Sequence, residues 1–218
     1  ARGYGVSEER IGKAIAGRRE QVILATKGWG ADKATVQSCI ETSLRQLRTD
    51  YIDLWQFHGI NTLEYYQQII AGGMEGALEA LQAGKIRHIG FSSHSLKVAL
   101  EGVAGGHFEV VQFPLNFVSN EAVAADELAP LARKRDMGFI AMKPFAGGRI
   151  RSARLAIKYL LQFEGVVPDP GIEKVEEIEE IVGLVNSGSW ELTPEEWSEI
   201  EAIRARVGTR FCRQCEYC

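Results

Sequence analysis

Tyr51-Ile52-Asp53-Leu54-Trp55-Gln56-Phe57-His58-Gly59 is an apolar run that closes on an ionisable residue and a glycine. Upstream, Val22-Ile23-Leu24-Ala25 leads in the same way into Thr26-Lys27-Gly28. Downstream come Ile86-Arg87-His88-Ile89, Val110-Val111-Gln112-Phe113, Gly138-Phe139-Ile140-Ala141-Met142 and a shorter Val166-Val167. The starts of these runs differ by 29, 35, 24, 28 and 28 residues, which is one strand plus one returning helix per interval. A parallel sheet with helical crossovers is therefore expected. The runs do not alternate cleanly between apolar and polar, as suits strands covered on both faces.

The segments between them carry helical patterning. Ser7 is expected to cap a helix through Ile11, Ala14 and Ile15, and Val36, Ile40, Leu44 and Leu47 recur at helical spacing. Met74 to Ala83 reads as a helix stopped at Gly84, and Ser95 as the cap of Leu96 to Gly102. Ala122 to Arg135 and Ser152 to Phe163 continue the rhythm. Val175, Ile178, Ile181, Val182 and Val185 form an apolar stripe opposite glutamates. Thr193-Pro194-Glu195-Glu196 opens the last helix with a cap, an N1 proline and an acidic first turn.

Six such units fit an open doubly wound sheet or most of an eight-fold barrel. No G-x-G-x-x-G follows the first strand, and Gly105-Gly106 and Gly147-Gly148 lack that spacing, so the barrel is preferred. With 218 residues, 45% hydrophobic and 25% charged, the chain has the composition of a folded soluble protein rather than a disordered one. Its net charge of −4 offers no general basic field for nucleic acid. No apolar run reaches the ~18 residues that would span a bilayer, and no secretory signal opens the chain, so no membrane partner and a cytoplasmic setting are expected.

In a parallel barrel the catalytic groups gather at the C-terminal ends of the strands. Those ends read Thr26-Lys27-Gly28-Trp29, Phe57-His58-Gly59, Phe91-Ser92-Ser93-His94, Gln112 with Asn116, and Met142-Lys143-Pro144-Phe145 before Gly147-Gly148. One lysine at a strand end is ordinarily a solvated terminus, and one histidine a structural hydrogen-bonder. Several converging on one rim suggest a site. Tyr4 sits between two glycines just before the first helix. A tyrosine hydroxyl is a poor acid at neutral pH, a neighbouring ammonium favours its ionised form, and a histidine can polarise a carbonyl oxygen from the other side. Tyr4, Lys27 and His58 together suit the reduction of a carbonyl, in which carbon takes a hydride and oxygen takes a proton.

With these motifs in hand, the chain resembles the aldo-keto reductase superfamily. The resemblance rests on Ala1-Arg2-Gly3-Tyr4-Gly5 with Ser7-Glu8, on Val22 to Lys27, on Tyr51 to His58, on Gly84-Lys85-Ile86-Arg87-His88-Ile89-Gly90-Phe91-Ser92 and on Asp169-Pro170-Gly171. It implies a (β/α)8 TIM barrel, incomplete here at about six units, with a barrel domain over residues 1–208, and an NADP- or NAD-dependent reduction of aldehydes or ketones. It makes Tyr4 the general acid, Lys27 the group that depresses its pKa and His58 the residue that positions the carbonyl. Ser92, Ser93 and Gln112 match positions that hold the nicotinamide carboxamide, and Met142 the position that packs on the ring. Lys143, Pro144, Phe145, Gly147, Gly148 and Arg149 would lie near the pyrophosphate, and Trp29 would line the substrate pocket. Gly171, Lys174 and Glu177 fall in the stretch that meets the adenosine end. Glu177 stands where an arginine is expected for a 2′-phosphate, which favours NADH, whereas Lys174 favours NADPH. The family's catalytic aspartate and first two strands would precede Ala1, so a chain truncated at both ends is expected.

Residues 209–218 end Phe211-Cys212-Arg213-Gln214-Cys215-Glu216-Tyr217-Cys218. This C-x2-C-x2-C spacing opens the bacterial ferredoxin pattern and suits a cubane cluster better than tetrahedral zinc. It resembles the ferredoxin-like C-terminal extension of a subgroup of the superfamily, with Cys212, Cys215 and Cys218 as three ligands of a 4Fe-4S cluster whose fourth is missing. Cys39 reads as a core residue. Two other functions use the same residues. A Schiff-base aldolase or lyase would employ Lys27 or Lys143 as nucleophile. A nicotinamide-binding electron-transfer protein would pass charge to a cluster in the tail.

Overall fold

The computed structural model describes residues 1, 3–118 and 125–208. The strands are β1 (Ala25–Gly28), β2 (Ile52–Phe57), β3 (Ile86–Ser92), β4 (Val110–Pro114), β5 (Gly138–Met142) and β6 (Val166–Asp169), in the sheet order β1-β2-β3-β4-β5-β6. The described helices are α1 (Ser7–Ala14), α2 (Lys33–Leu47), α3 (Leu63–Gln68), α4 (Met74–Gln82), α5 (Leu96–Gly105), α6 (Leu128–Lys134), α7 (Ala153–Leu161), α8 (Val175–Asn186) and α9 (Pro194–Val207). The expected alternation of strand and helix is thus present, with strands following one another in chain order. The chain divides into two compact units, Ala1–Val111 and Gln112–Cys218.

In the first unit β1, β2 and β3 are parallel neighbours. Lys27 lies opposite Gln56, and Phe57 opposite Phe91. This register decides the site, because it brings the ends of all three strands to one rim. Trp55 and Phe57 of β2 meet edge to face at 4.9 Å, and Phe108 closes on Phe57 and Phe91 at 6.0 and 4.7 Å. Trp55, Phe57 and Phe91 are fully buried, and each such side chain contributes about 2–3 kcal/mol of hydrophobic stabilisation. Tyr66 joins this packing at Phe108, so of Tyr65 and Tyr66 the latter is a helix-packing residue.

Between α3 and α4 runs a five-residue π turn, Ile69–Gly73. Its reason is close approach. A Cβ on Gly73 would stand 2.7 Å from the carbonyl oxygen of Gly30, and one on Gly72 equally close to that of Ala31. Two side-chain-free positions let the helix settle on the loop that follows β1, and the extra residue of the π turn places both toward it. At the far end of β2, Asp53 is buried. Its carboxylate accepts from the Leu24 N–H at 2.9 Å and meets Arg19 and Arg87 at 2.7 and 2.9 Å.

The second unit builds on the parallel pair β5 and β6, with Phe139 opposite Val166 and Met142 opposite Asp169. Its core centres on Tyr159, met edge to face by Phe117 at 5.7 Å and Phe163 at 5.3 Å. Lys158 of α7 is buried against Glu196 of α9, with N–O distances of 3.0 and 2.9 Å. Glu196 also accepts from the Thr193 N–H, completing the capping box expected from Thr193-Pro194-Glu195-Glu196.

Three readings shift. Ser7 is the first residue of α1 rather than its cap, which falls on Val6 without a side-chain hydrogen bond. β1 begins at Ala25, past most of its apolar run, and Ile23 is 89% exposed. The apolar stripe of α8 faces solvent, with Val175, Ile178, Val182 and Val185 all exposed. Ser95, Ser152 and Thr193 cap their helices as expected, each accepting from a backbone N–H of the first turn. No helix among the described residues is long and apolar enough to cross a membrane.

Candidate active site

Tyr4, Lys27 and His58 converge in the first unit. Tyr4 precedes α1 by one turn, and its carbonyl oxygen accepts from the Ser7 N–H at 3.2 Å. The His58 backbone N–H donates to Gly28 at 2.9 Å, extending the β1–β2 ladder past the last strand residue. The Tyr4 and His58 rings stand 6.0 Å apart at 62°. On its other side the imidazole stacks on Trp29, centroids 5.3 Å apart and planes inclined by 21°. A Cβ on Gly3 would come within 3.0 Å of the Trp29 ring, so the glycine before Tyr4 is required by that indole.

Burial depresses the His58 pKa from 6.5 to about 4, helped by the positive charges of Lys27 and the Ala1 amino group. The ring is consequently neutral at pH 7, and one of its nitrogens carries a proton that it can donate. Lys27 is half-buried and Tyr4 is 44% exposed. The constellation offers a hydroxyl, an ammonium and a neutral imidazole on one rim, beside an indole wall.

The loop after His58 is anchored by β3. The Ser92 hydroxyl accepts from the Gly59 N–H at 2.9 Å, and the Ser92 carbonyl from the Ile60 N–H at 2.8 Å. Ser93 is fully buried; its hydroxyl donates to the Ser95 carbonyl and accepts from the Ser95 N–H. Asn61 accepts from the His94 N–H at 2.7 Å. The two serines read as carboxamide-binding positions are thus engaged in holding the loop that presents His58. Of the other histidines, His88 pairs with Glu109 at 2.6 Å.

Behind β1 lies a cluster that the sequence did not announce. Glu8 of α1 is 1% exposed, and its Oε1 accepts from Thr26 Oγ1 at 2.6 Å and Ser43 Oγ at 2.9 Å. Glu8 reads in sequence as one more acid in a first turn, favourable to the helix dipole. Only its place opposite a strand threonine reveals the brace between α1, β1 and α2.

The remaining cofactor candidates lie in the second unit. Gln112 is buried and donates to Asp169 Oδ2 at 2.6 Å. Asn116 donates to the Lys143 carbonyl at 3.1 Å. Met142, Lys143 and Phe145 are half-buried, and Pro144 is buried. Lys143 and Ala146 adopt left-handed backbone, φ 58° and 48°, as do Gly147 and Gly148, so the whole turn is contorted. Side chains rarely tolerate this, and such strain concentrates where a loop has a job. Gly171, Lys174 and Glu177 are exposed. The Glu177 carboxylate accepts from the Glu173 and Lys174 N–H groups at 2.8 and 3.1 Å, which hold its pKa below the usual value. It caps its own helix, a use that competes with contact to a ribose. Cys212, Cys215 and Cys218 lie outside the described residues. Among the described residues no cluster of His, Cys, Asp and Glu could hold a metal ion. Cys39 is buried in α2, as expected, with its thiol against the Trp29 carbonyl.

Comparison with known proteins agrees with this architecture. The aldo/keto reductase family matches residues 1–154. The chain is 38% identical over 133 residues to the aldo-keto reductase YhdN of Bacillus subtilis, covering 56% of this chain and 39% of that one. It is 31% identical over 157 residues to the methylglyoxal reductase YeaE of Escherichia coli, covering 69% and 53%. Among solved structures, the holo form of the aldo-keto reductase AKR11C1 from Bacillus halodurans superposes with a TM-score of 0.73 at 26% identity, covering 90% of this chain and 76% of that one. The chain belongs to the aldo/keto reductase family. It spans about half the length, or less, of these curated relatives.

Proposed function

We propose that the protein is an NAD(P)H-dependent oxidoreductase that reduces the carbonyl of a small aldehyde or ketone. The observation that carries this reading is the convergence of Tyr4 and Trp29 on a neutral His58, with Lys27 close enough to bias the imidazole electrostatically. Family membership and the similarity to YhdN and YeaE support it, and nothing comparable supports the aldolase or lyase reading.

In this reading a bound reduced nicotinamide supplies the hydride. His58 donates a hydrogen bond to the substrate oxygen and orients it. Tyr4 delivers the proton to that oxygen as negative charge develops there. Lys27 stabilises the tyrosinate left behind. Trp29 walls off water and fixes the imidazole plane. Gln112, Met142, Lys143 and the Pro144–Arg149 turn are the cofactor-binding candidates in the second unit. The contorted turn and its arginine suit phosphate, whereas the capping role of Glu177 removes the argument that it selects NADH. A cytoplasmic setting belongs to this proposal, since reduced nicotinamide is available there. The iron–sulfur reading of Cys212, Cys215 and Cys218 rests on their spacing alone.

The test is Tyr4→Phe. Losing the proton donor should lower the rate of nicotinamide oxidation with a small aldehyde by about 10²–10⁴-fold and leave cofactor affinity unchanged. Equal rates in the two proteins would remove Tyr4 from the chemistry.

A further inference from the structure

We propose that the second unit carries a phosphoryl-binding site formed by Arg149, Arg151 and Arg206, the last two of which have no part in the catalytic reading above. The three side chains line a cavity of about 420 Å³ with Gly148 and Val207, and an adjoining one of about 300 Å³ with Ser152, Glu199, Ala202 and Ile203. These volumes fall at the lower end of small-ligand sites.

The argument is one of charge. Neighbouring cations in this unit are neutralised: Arg154 meets Glu196 and Glu199, Arg204 meets Glu201, and Lys158 meets Glu196. Arg149, Arg151 and Arg206 form no ion pair with any described carboxylate. Glu199, the acid on the cavity wall, is already held by Arg154 at 3.1 Å. The strand-end turn and the last turn of α9 therefore bring three guanidinium groups around one concave space in a chain whose net charge is −4. Mutual repulsion makes that arrangement costly unless an anion enters. Guanidinium forks match phosphoryl oxygens bidentately. The N-terminus of α7, capped by Ser152 on the cavity wall, adds partial positive charge. Three positive charges call for a phosphate or pyrophosphate group rather than a single carboxylate. The bearer could be the dinucleotide itself or a phosphorylated substrate.

The test is calorimetric titration of the whole chain with inorganic pyrophosphate at ionic strength held constant with chloride. Saturable binding is expected, weakened at least tenfold by Arg206→Gln and by Arg151→Gln and unchanged by Lys97→Gln on the exposed face of α5. Arg151 and Arg206 are exposed, and far-ultraviolet circular dichroism of the variants checks that the fold is kept. No saturable binding, or binding indifferent to both arginine changes, would overturn the proposal. Competition between pyrophosphate and NADP or NAD assigns the site to the cofactor's phosphates. Pyrophosphate that binds alongside the dinucleotide assigns it to a phosphorylated substrate. Either supports the site. If pyrophosphate binds but no carbonyl is reduced, the reductase reading fails and the anion site stands.

Discussion

The indole of Trp29 lies nearly parallel to the imidazole of His58, 5.3 Å away centroid to centroid. This stacking covers one face of the ring and contributes to the burial that lowers its pKa to about 4. Removing the indole in Trp29→Ala should let water reach the imidazole. The His58 titration midpoint, followed by NMR, should rise toward 6.5. A midpoint that stays near 4 would assign the depression to Lys27 and to burial by other groups.

The same shift has a consequence for stability. A histidine whose folded pKa lies below its unfolded value binds fewer protons when folded. Its stabilising effect is then complete above pH 6.5 and is lost as pH falls from about 6.5 to about 4. Urea unfolding of the wild type should accordingly show a fall in stability between pH 7 and pH 5. His58→Gln should flatten that part of the profile; an unchanged slope would place the responsible group elsewhere.

Thr26→Val tests the brace behind β1. The change keeps the shape and removes one of the two hydroxyls that Glu8 accepts from. A hydrogen bond to a buried charged group is worth about 1.5–3 kcal/mol, and unfolding by urea should show a loss of that size. Because α1 holds Tyr4 and β1 holds Lys27, the turnover rate should fall as well. Rescue by Thr26→Ser, which restores the hydroxyl, separates loss of the hydrogen bond from loss of packing.

What the sequence revealed follows from which signals are local. Strand-and-helix alternation was legible because buried strands are apolar on both faces, and parallel pairing in chain order then puts Lys27, His58 and Ser92 on one rim. The caps at Ser95, Ser152 and Thr193 were legible because a cap is a contact within four residues. Glu8 with Thr26 and Ser43, and Arg206 beside Arg149, were not. Each depends on contacts between residues far apart in the chain, for which no short motif exists. The π turn escaped because its cause, Gly72 and Gly73 against the β1 loop, lies across space. The α8 stripe misled because periodicity shows that a helix has an apolar face and not what covers it.

Lys158 and Glu196 offer the clearest test of the second unit. Their side chains are only 8% and 10% exposed, and together they pin α7 to α9. Desolvation opposes the charge on Glu196, but the Thr193 N–H and the Lys158 ammonium outweigh it and hold its carboxyl below the usual range. Lys158→Met leaves that carboxylate with Arg154 and its capping contact but without its most buried partner. Breaking a buried pair from one side costs about 3–5 kcal/mol, because the other charge remains out of water. Removing both charges in Lys158→Met with Glu196→Gln should recover a large part of that loss, since glutamine can still accept from the Thr193 N–H. The measurement is urea unfolding of the three proteins at pH 7, closed as a double-mutant cycle. A double variant no more stable than Lys158→Met alone would mean that the ion pair is incidental and that the lysine stem supplies the stability by packing.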